Sequence, residues 1–517
     1  MLGLRKRDFL PVLAFVSMSL IDASLQWQAL FDGYGVLAVL TKAVCAGLVL
    51  SAPMFWLGQA VRWFFVPLWC WLCFIETVEW ATRLMYNRVL DGDWVMMLMA
   101  SSSSELTMFV EHFSPWRLLG LILLSLAMMV GGGWWFLRRS YPRRSWRLAS
   151  IGGVFLMPAI AFTLLRPAGR GAFADMMYCY FLEDTIQNFQ DYSDLARTAR
   201  SPRVPALHIN APRESAPLGV IVVGESATRN NMHLYGYGRP TTPCLDERKG
   251  LVVFKNVRAT RSTTASSLRM YFTEATEECP QKTYSTLSQW YAHSGYDCSL
   301  LSVQNQWGRW DGVQTLLFTG CQPRRYLSEE TPSEVVFDDK LVPALKQDLA
   351  NLERPRMIFL HMNGSHFPAC RQYPAAYSVF PRDEQDVPPG IAPDNDRTRI
   401  LMDAYDNSIL FTDRVLGRIL DIVEDLNRPS FFIYFSDHGD TPRSGFVRDQ
   451  SSNDLFEVPL IVWFSPEYRA LFPETVKEVE SAAEKPWTAD HLFELFLSLA
   501  RVKKSEEGQS DLVREVP

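Results

Sequence analysis

Five long apolar stretches in the first third of this 517-residue chain constrain its fold more than any other feature. About 20 apolar residues are needed to cross the hydrocarbon core of a bilayer. Helices buried in a soluble core are the alternative, but five in succession favour a bundle of membrane spans. The predicted spans are residues 9–25, 34–57, 63–78, 118–137 and 148–165, the third being short and interrupted by Glu76.

Basic residues predict how these spans are oriented, because Lys and Arg accumulate on the cytoplasmic side. Residues 5–7 precede the first span, Arg62 separates the second from the third, and five arginines lie between the fourth and fifth. Three arginines in the loop between spans three and four oppose this orientation but are outnumbered. Five spans then place everything after about Arg166 outside the cytoplasm. No small-residue cleavage site follows the first span, which is therefore expected to be an anchor.

The predicted domain organisation has three parts. Residues 1–166 form a five-helix transmembrane domain. Residues 167–216 form a bridge, whose helical pattern over 173–200 suits either a membrane interface or an ordinary core, and whose prolines over 201–217 predict a linker. Residues 217–517 alternate strand-like and helix-like segments, which predicts a doubly wound α/β domain. The net charge of −6 argues against nucleic acid as a partner.

Three strand-like apolar runs in this last part each end in residues capable of metal or acid–base chemistry. Residues 219–223 lead to Glu225, 357–360 to His361, and 431–435 to Asp437 and His438. Open α/β sheets carry their sites at the carboxyl ends of the strands. Two carboxylates and one imidazole suit Zn²⁺, although an isolated Asp-His pair is also common in turns. Glu225, Asp437 and His438 are therefore candidate zinc ligands.

A hydroxyl-rich run over residues 260–268 offers a nucleophile. These hydroxyls precede a predicted helix and have a structural alternative as N-caps. A helix N-terminus also suits a phosphate, and a metal can activate a hydroxyl that is otherwise inert. The residues alone do not choose among Ser262, Thr263 and Thr264.

Six cysteines lie between positions 179 and 370, in the part predicted to be exported, where disulfides can persist. Two pairings are considered, Cys298 with Cys321 or Cys279 with Cys298. For Cys179 a free thiol is an equal alternative.

Three motifs resemble those of the bacterial phosphoethanolamine transferases. The first comprises Gly224-Glu225-Ser226, Arg229, Leu234-Tyr235-Gly236-Tyr237, Arg239 and Thr241-Thr242-Pro243; the others are residues 361–366 (HMNGSH) and 436–440 (SDHGD). Within that family the chain is most similar to the branch that modifies lipopolysaccharide core, and the branches that act on lipid A or periplasmic glucans are the alternatives. The resemblance implies a sulfatase-like, alkaline-phosphatase-type fold with catalytic zinc.

The resemblance also implies roles for individual residues. Aligned on Ala265, the family nucleophile falls on Thr264, with Thr263 as the alternative. Glu225, Thr264, Asp437 and His438 match the zinc ligands. His366 would transfer a proton or bind phosphate, whereas His361 is more simply a structural histidine.

The implied reaction has two steps. Thr264 would attack phosphatidylethanolamine, releasing diacylglycerol and leaving phosphoethanolamine on the threonine, and an envelope glycolipid, lipopolysaccharide core or lipid A, would then accept the group. The expected protein is a monomer in the bacterial inner membrane with its catalytic domain in the periplasm. A hydrolase of the same fold, such as a sulfatase or phosphodiesterase, and a non-catalytic envelope scaffold are the alternatives.

The resemblance does not assign a role to three parts of the sequence. Many members carry a histidine where this chain has Asn453 or Asp454, which puts a second zinc in doubt. Glu105, in a loop that resembles the lipid-headgroup segment, is a candidate partner for the ethanolamine ammonium, and an ordinary solvated loop is the equal alternative. The loop 373–396 is of the length that often carries specificity, and its Pro- and Asp-rich composition does not indicate for which ligand.

Overall fold

The computed structural model of the protein describes most of the chain as two compact units. The first ends at Asn188 and the second begins at Phe189. The described residues are 10–25, 36–86, 91–92, 95, 115–141, 150, 153–154, 180–280, 282–304, 312–330, 335–350, 354–445, 449 and 451–505.

The first unit consists of helices at the first four predicted spans. Two stretches are long and apolar enough to cross a membrane, Val44–Leu84 and Trp116–Arg138. The fifth predicted span lies outside the described residues except for positions 150, 153 and 154, as does Glu105. The helices are α1 (Leu10–Leu25), α2 (Val36–Ser51), α3 (Pro53–Leu57), α4 (Arg62–Tyr86) and α5 (Pro115–Arg138).

Aromatic side chains fill the centre of this unit. Phe15 lies 5.2 Å from Phe65 and 5.7 Å from Phe136 between ring centroids, and all three side chains are buried. Large apolar side chains of α5, such as Trp116 and Val130, are exposed instead. A contiguous exposed apolar surface of this kind marks a face that contacts lipid or another protein.

The second unit is built on a seven-stranded sheet. The strands of this unit are β1 (Leu207–Ile209), β2 (Leu218–Gly224), β3 (Leu251–Val253), β4 (Asn256–Arg258), β5 (Asp297–Ser302), β6 (Arg324–Tyr326), β7 (Arg356–His361), β8 (Ser430–Ser436), β9 (Glu457–Val458), β10 (Leu460–Phe464), β11 (Pro486–Thr488) and β12 (Val502–Lys504). The order of strands in the sheet is β3-β10-β8-β2-β7-β5-β6. Helix α6 (Tyr180–Arg200) spans the boundary between the units. Strand β1 lies in the predicted linker and pairs with β12.

The sheet of this doubly wound domain is mixed and not wholly parallel. Strands β8, β2, β7, β5 and β6 are mutually parallel, whereas β10 runs antiparallel to both β8 and β3. A parallel neighbour needs a crossover connection, usually a helix. The described part of the segment between β8 and β10 contains short 3₁₀ turns and the two-residue strand β9 but no α-helix, and the chain returns antiparallel.

Helices cover both faces of the sheet, as a doubly wound domain requires. The helices are α7 (Pro243–Glu247), α8 (Thr264–Tyr271), α9 (Leu287–Ser294), α10 (Gly312–Leu317), α11 (Leu327–Glu330), α12 (Leu341–Asp348), α13 (Asp396–Glu424), α14 (Pro466–Leu471), α15 (Pro473–Ala483) and α16 (Leu492–Leu499). Successive residues of β2 alternate between two buried cores. Ile221 packs with residues of α8, α9 and α16, and Val222 packs with residues of α12 and α13.

The parallel register brings the predicted chemistry to one edge of the sheet. Val223 of β2 pairs with His361 of β7, and Gly224 with Ser436 of β8. Glu225 and Asp437 therefore leave adjacent strands at the same level. A disulfide joins Cys298 to Cys321 and confirms the first of the two pairings considered, whereas Cys279 is free. Cys179 lies outside the described residues.

Candidate active site

Three buried side chains, Glu225, Asp437 and His438, converge where β2 and β8 end, and this group of candidate ligands is called the metal cluster below. One ligand atom from each lies within 4.8 Å of the others. His438 Nε2 is 3.4 Å from Glu225 Oε1 and 3.3 Å from Asp437 Oδ2. Within the described ranges, these residues are the His, Cys, Asp and Glu side chains grouped closely enough to hold a metal ion.

Thr264, the first residue of α8, adds a hydroxyl to this cluster. Its Oγ1 donates a hydrogen bond of 2.9 Å to Glu225 Oε2 and lies 3.5 Å from His438 Nε2. The neighbouring Thr263 occupies the N-cap position and directs its hydroxyl to Ser266 Oγ, 2.5 Å away. Of these two threonines, Thr264 is therefore the one whose hydroxyl meets the carboxylates.

The separations in the cluster fit the coordination of one zinc ion. Ligands about 2.0 to 2.2 Å from a tetrahedral Zn²⁺ lie roughly 3.3 to 3.6 Å from one another, which matches the distances from His438 Nε2 to the three surrounding oxygens. His438 Nδ1 is 2.7 Å from Gly439 O. A proton donated there leaves Nε2 unprotonated, the form in which histidine binds a metal.

The charge of the cluster also fits a cation. Burial raises the pKa of Asp437, although Thr264 and the backbone N–H groups of Ser226 and His438 oppose this rise by hydrogen bonding. Asp437 Oδ2 is buried and accepts no hydrogen bond of normal geometry from the described residues. A buried carboxylate oxygen in this state is costly unless a cation compensates it. Glu225, Thr264, Asp437 and His438 together are a donor set suited to zinc.

Ser226 holds the two carboxylates in place through an unusual backbone conformation. Its φ of 57° lies in the left-handed region, which costs a non-glycine residue roughly 1 to 2 kcal/mol. In return its N–H donates to Asp437 Oδ1 at 3.0 Å and its hydroxyl donates to Glu225 Oε1 at 2.8 Å. Ser226 stands in the quoted Gly-Glu-Ser motif, but the sequence did not assign it a role.

Gln304, just after β5, also reaches the cluster. It is not among the site residues predicted from the sequence. Its Nε2 donates to Met362 O at 2.8 Å and, more weakly, to Glu225 Oε2 at 3.4 Å. No local pattern marks this position, because a single polar residue after a strand is most often a loop residue. It places a side-chain amide beside the same carboxylate oxygen that Thr264 contacts.

The segment after β7 is fixed against Glu225 by a buried carboxylate. Asp338 accepts hydrogen bonds from the N–H groups of Asn363 (2.7 Å) and Gly364 (2.9 Å). Burial raises the pKa of Asp338 to about 7. Ser365 N–H then donates to Glu225 O at 2.9 Å, and the half-buried His366 follows directly. His366 is therefore the neighbour in sequence of Ser365, whose N–H contacts Glu225.

His361 and Asp454 stay outside the metal cluster. Burial lowers the pKa of His361 to about 4, and its Nε2 has no hydrogen-bond partner among the described residues. His361 is therefore neutral at pH 7. Asp454 Oδ1 accepts a 2.6 Å hydrogen bond from Asn230, whose amide also reaches Glu457. This contact gives Asp454 a structural partner.

The long loop 373–396, of a kind that often carries specificity, packs on α13. Asn407 accepts the N–H groups of Val379 and Phe380 at 2.8 Å each. Arg239 contacts Asp386 of the loop and also Asp403 and Asp406 of α13. The base of the loop is therefore part of the buried polar structure of the domain.

Gly364→Ala is expected to disturb the metal cluster through Glu225. Gly364 has φ +52°, and a Cβ added there would lie 2.6 Å from Glu225 O and 2.9 Å from Glu225 N. Because the contact is with backbone, the strand end must move. We expect the variant to lose at least tenfold in zinc affinity, measured by chelator competition.

Gly390→Ala is the matched control for this substitution. Gly390 also has a positive φ, +80°, but a Cβ there meets no atom within 4 Å. It carries the same type of backbone cost, roughly 1 to 2 kcal/mol, without displacing Glu225. Equal zinc affinities in the two variants would contradict a role of the Gly364 contact in shaping the site.

A mixed α/β sheet with a cation-binding donor set and a hydroxyl at its strand ends defines the class of this domain. The sulfatase family profile matches residues 217–502, more than half of the chain. The chain belongs to the sulfatase family.

Two relatives illustrate the similarity of the sequence. The chain is 32% identical to YhbX of Escherichia coli K12 over 266 residues, which cover 48% of this chain and 43% of YhbX. It is 25% identical to the phosphoethanolamine transferase EptC of Escherichia coli K12 over 438 residues, 77% of this chain and 75% of EptC. The chain thus spans less than half the length of YhbX but three-quarters of EptC. These matches confirm the resemblance to phosphoethanolamine transferases.

Two solved structures share the fold. The integral membrane protein lipooligosaccharide phosphoethanolamine transferase A (EptA) of Neisseria meningitidis matches with a TM-score of 0.65 and 18% identity, covering 96% of this chain and 95% of EptA. The C-terminal periplasmic domain of Escherichia coli EptC, solved in complex with zinc, matches with a TM-score of 0.52 and 24% identity, covering 59% of this chain and 87% of that domain. At these identities the likeness establishes the fold.

Proposed function

We propose that this protein transfers phosphoethanolamine from phosphatidylethanolamine to an envelope glycolipid, lipopolysaccharide core or lipid A. The observation that carries the proposal is the position of Thr264 Oγ1, 2.9 Å from Glu225 Oε2 and 3.5 Å from His438 Nε2 at the start of α8. The first-turn N–H groups of a helix have no intrahelical partner and suit a phosphate. A nucleophile and a phosphate site thus coincide at one helix end.

The transfer has two balanced steps. Thr264 Oγ1 gives up its proton and bonds to phosphorus while the bond from phosphorus to the glycerol oxygen breaks; that oxygen takes up a proton and leaves as diacylglycerol. An acceptor hydroxyl, which gives up its proton, or an acceptor phosphate oxygen then bonds to phosphorus. The bond from phosphorus to Thr264 Oγ1 breaks, and Thr264 Oγ1 takes up a proton and becomes a hydroxyl again. The hydrogen bond from Thr264 to Glu225 fixes the hydroxyl in the orientation that the first step uses.

Glu225, Thr264, Asp437 and His438 are the residues that would hold zinc. When bound, zinc lowers the pKa of a coordinated hydroxyl and offsets negative charge on phosphoryl oxygens. The chain's own residues do the positioning. Ser226 orients both carboxylates, and His366, placed by Ser365, serves as the proton-transfer or phosphate-binding group.

A lipid donor and a lipid-linked acceptor explain why such a domain would be anchored in a membrane. We propose the five-span arrangement in the inner membrane, with the sulfatase domain in the periplasm and the protein acting as a monomer. Support comes from the two apolar stretches Val44–Leu84 and Trp116–Arg138 and from the whole-chain likeness to an integral membrane protein. The disulfide Cys298–Cys321 is consistent with an oxidising compartment.

Product analysis tests the proposed activity. The purified protein is incubated in mixed micelles with phosphatidylethanolamine labelled in its ethanolamine, with and without lipid A or a core-containing lipopolysaccharide. We expect diacylglycerol and labelled acceptor to form in equal amounts. Free labelled phosphoethanolamine formed at the same rate without acceptor would identify a hydrolase, and the absence of both products would favour a non-catalytic scaffold.

A further inference from the structure

Two buried tyrosine hydroxyls contact the backbone at the two strand ends of the metal cluster. The hydroxyl of Tyr405, in α13, donates a hydrogen bond of 2.6 Å to Ser226 O and accepts one of 2.8 Å from the N–H of Thr228. Both contacts lie within three residues of Glu225. The Tyr405 hydroxyl therefore bridges the two sides of the turn that carries this ligand.

Tyr271 makes the corresponding contact at the other strand end. Its hydroxyl donates to Asp437 O at 3.0 Å and accepts the N–H of Thr260 at 3.4 Å. Tyr271 is the last residue of α8, the helix that begins with Thr264. The same hydroxyl therefore connects a metal ligand to the segment that leads into Thr264.

The two tyrosines approach from opposite layers of the domain. Tyr271 belongs to the core that contains Ile221, and Tyr405 to the core that contains Val222. Both side chains are almost completely buried, so a missing hydroxyl cannot readily be replaced by bulk water. A carbonyl and an N–H would then lose their buried partner, and the adjoining turn would adjust to satisfy them.

The need for such support is greatest at Ser226. This residue has a left-handed backbone, and a conformation of this kind persists only where its surroundings enforce it. Its carbonyl is held by Tyr405, its N–H by Asp437, and its hydroxyl by Glu225. Of these contacts, the one from Tyr405 comes from outside the metal cluster.

We infer that Tyr271 and Tyr405 are positioning residues that preorganise Asp437 and Glu225 for the metal ion. The inference rests on the zinc site of the proposed function. Outer contacts that orient metal ligands typically change metal affinity 10- to 100-fold. Neither tyrosine touches the substrate or the metal; each acts through the backbone of the turn it holds.

Tyr271→Phe and Tyr405→Phe test this in the full-length protein in detergent. Each removes one hydroxyl and keeps the ring packing, including the edge-to-face contact of Tyr271 with Phe435, 6.0 Å between centroids. Zinc affinity is measured by competition with a chromogenic chelator, and the melting temperature of the metal-free protein is recorded alongside. We expect 10- to 100-fold weaker zinc binding in each variant.

Tyr468→Phe is the matched control. Tyr468 is fully buried and donates to Leu499 O at 2.9 Å. It packs on Phe431, at the end of the sheet opposite the cluster. This substitution should lower the melting temperature of the metal-free protein as much as the others do, while zinc affinity stays at the parent value.

The outcomes separate this inference from the proposed function. A parent protein that binds no zinc overturns the metal site and the inference with it. A parent that binds zinc, with unchanged affinity in Tyr271→Phe and Tyr405→Phe, overturns the inference alone. Weaker zinc binding in Tyr468→Phe of the same size as in the other two would also overturn it, because the effect would then follow from general loss of stability.

Discussion

Thr264→Ala is expected to lower the rate of phosphoethanolamine transfer at least about 10⁴-fold, since removal of a covalent nucleophile has effects of that order or larger. The hydroxyl at this position is the one that contacts Glu225 and His438. Intact-mass analysis after incubation with phosphatidylethanolamine, without acceptor, checks the same point directly. The parent should gain the mass of one phosphoethanolamine group, and the variant should gain none.

Thr263→Ala is the matched control for this experiment. It removes the same side chain one position earlier, where the hydroxyl contacts Ser266 and not the carboxylates. This variant should form the adduct and retain most of the activity, with a modest loss of stability. An adduct that persists in Thr264→Ala and disappears in Thr263→Ala would show that the neighbouring threonine is the nucleophile.

Much of the fold follows from local sequence patterns. The uninterrupted apolar run 219–223 predicts a strand buried on both faces, and the structure forms one over Leu218–Gly224. The apolar run 460–464 likewise predicts a buried strand, and β10 forms over these residues. The amphipathic pattern over 397–424 predicts a long helix, which in the structure begins one residue earlier, at Asp396, after an Asn395 N-cap. A strand buried on both faces needs a continuous apolar run, and a helix buried along one stripe needs apolar residues at helical spacing. Both patterns can therefore be read in the sequence.

Other features depend on contacts between distant segments and leave no local pattern. The antiparallel direction of β10 is set by how the chain returns after β8, and its residues have the same apolar character that a parallel strand would have. The left-handed conformation of Ser226 depends on Asp437 and Tyr405, about 200 positions further along the chain. Gln304 is likewise recognisable only once β5 and β2 are placed in one sheet.

The candidate site shows the same division. Glu225, Asp437 and His438 could be selected from the sequence because each follows a strand and each has metal-binding chemistry. The choice among Ser262, Thr263 and Thr264 could not be made from those residues, because a hydroxyl run before a helix satisfies capping and catalysis equally well. In the structure the first turn of α8 directs the hydroxyls of Thr263 and Thr264 to different partners.

Asp437→Asn is expected to remove zinc binding and, with it, the transfer activity. The substitution keeps the size of the side chain, and its oxygen can still accept the N–H groups of Ser226 and His438. It removes the negative charge that a metal ion requires. Zinc affinity should fall by more than about 100-fold, beyond the range of contacts outside the ligand shell. Metal content after dialysis and chelator competition measure this loss.

The melting temperature distinguishes this loss of zinc from general damage. Burial raises the pKa of Asp437, so its charge destabilises the metal-free protein, and metal-free Asp437→Asn should melt at or above the temperature of the metal-free parent. Zinc should raise the melting temperature of the parent by binding the folded state and leave that of the variant unchanged. Asp413→Asn alters a buried carboxylate that caps α7, because each of its two oxygens accepts an N–H group, from Cys244 or Leu245. An amide has one oxygen in place of two, so this variant should show the opposite pattern, with a lower melting temperature and normal zinc binding. Zinc-dependent stabilisation of Asp437→Asn equal to that of the parent would place the metal elsewhere.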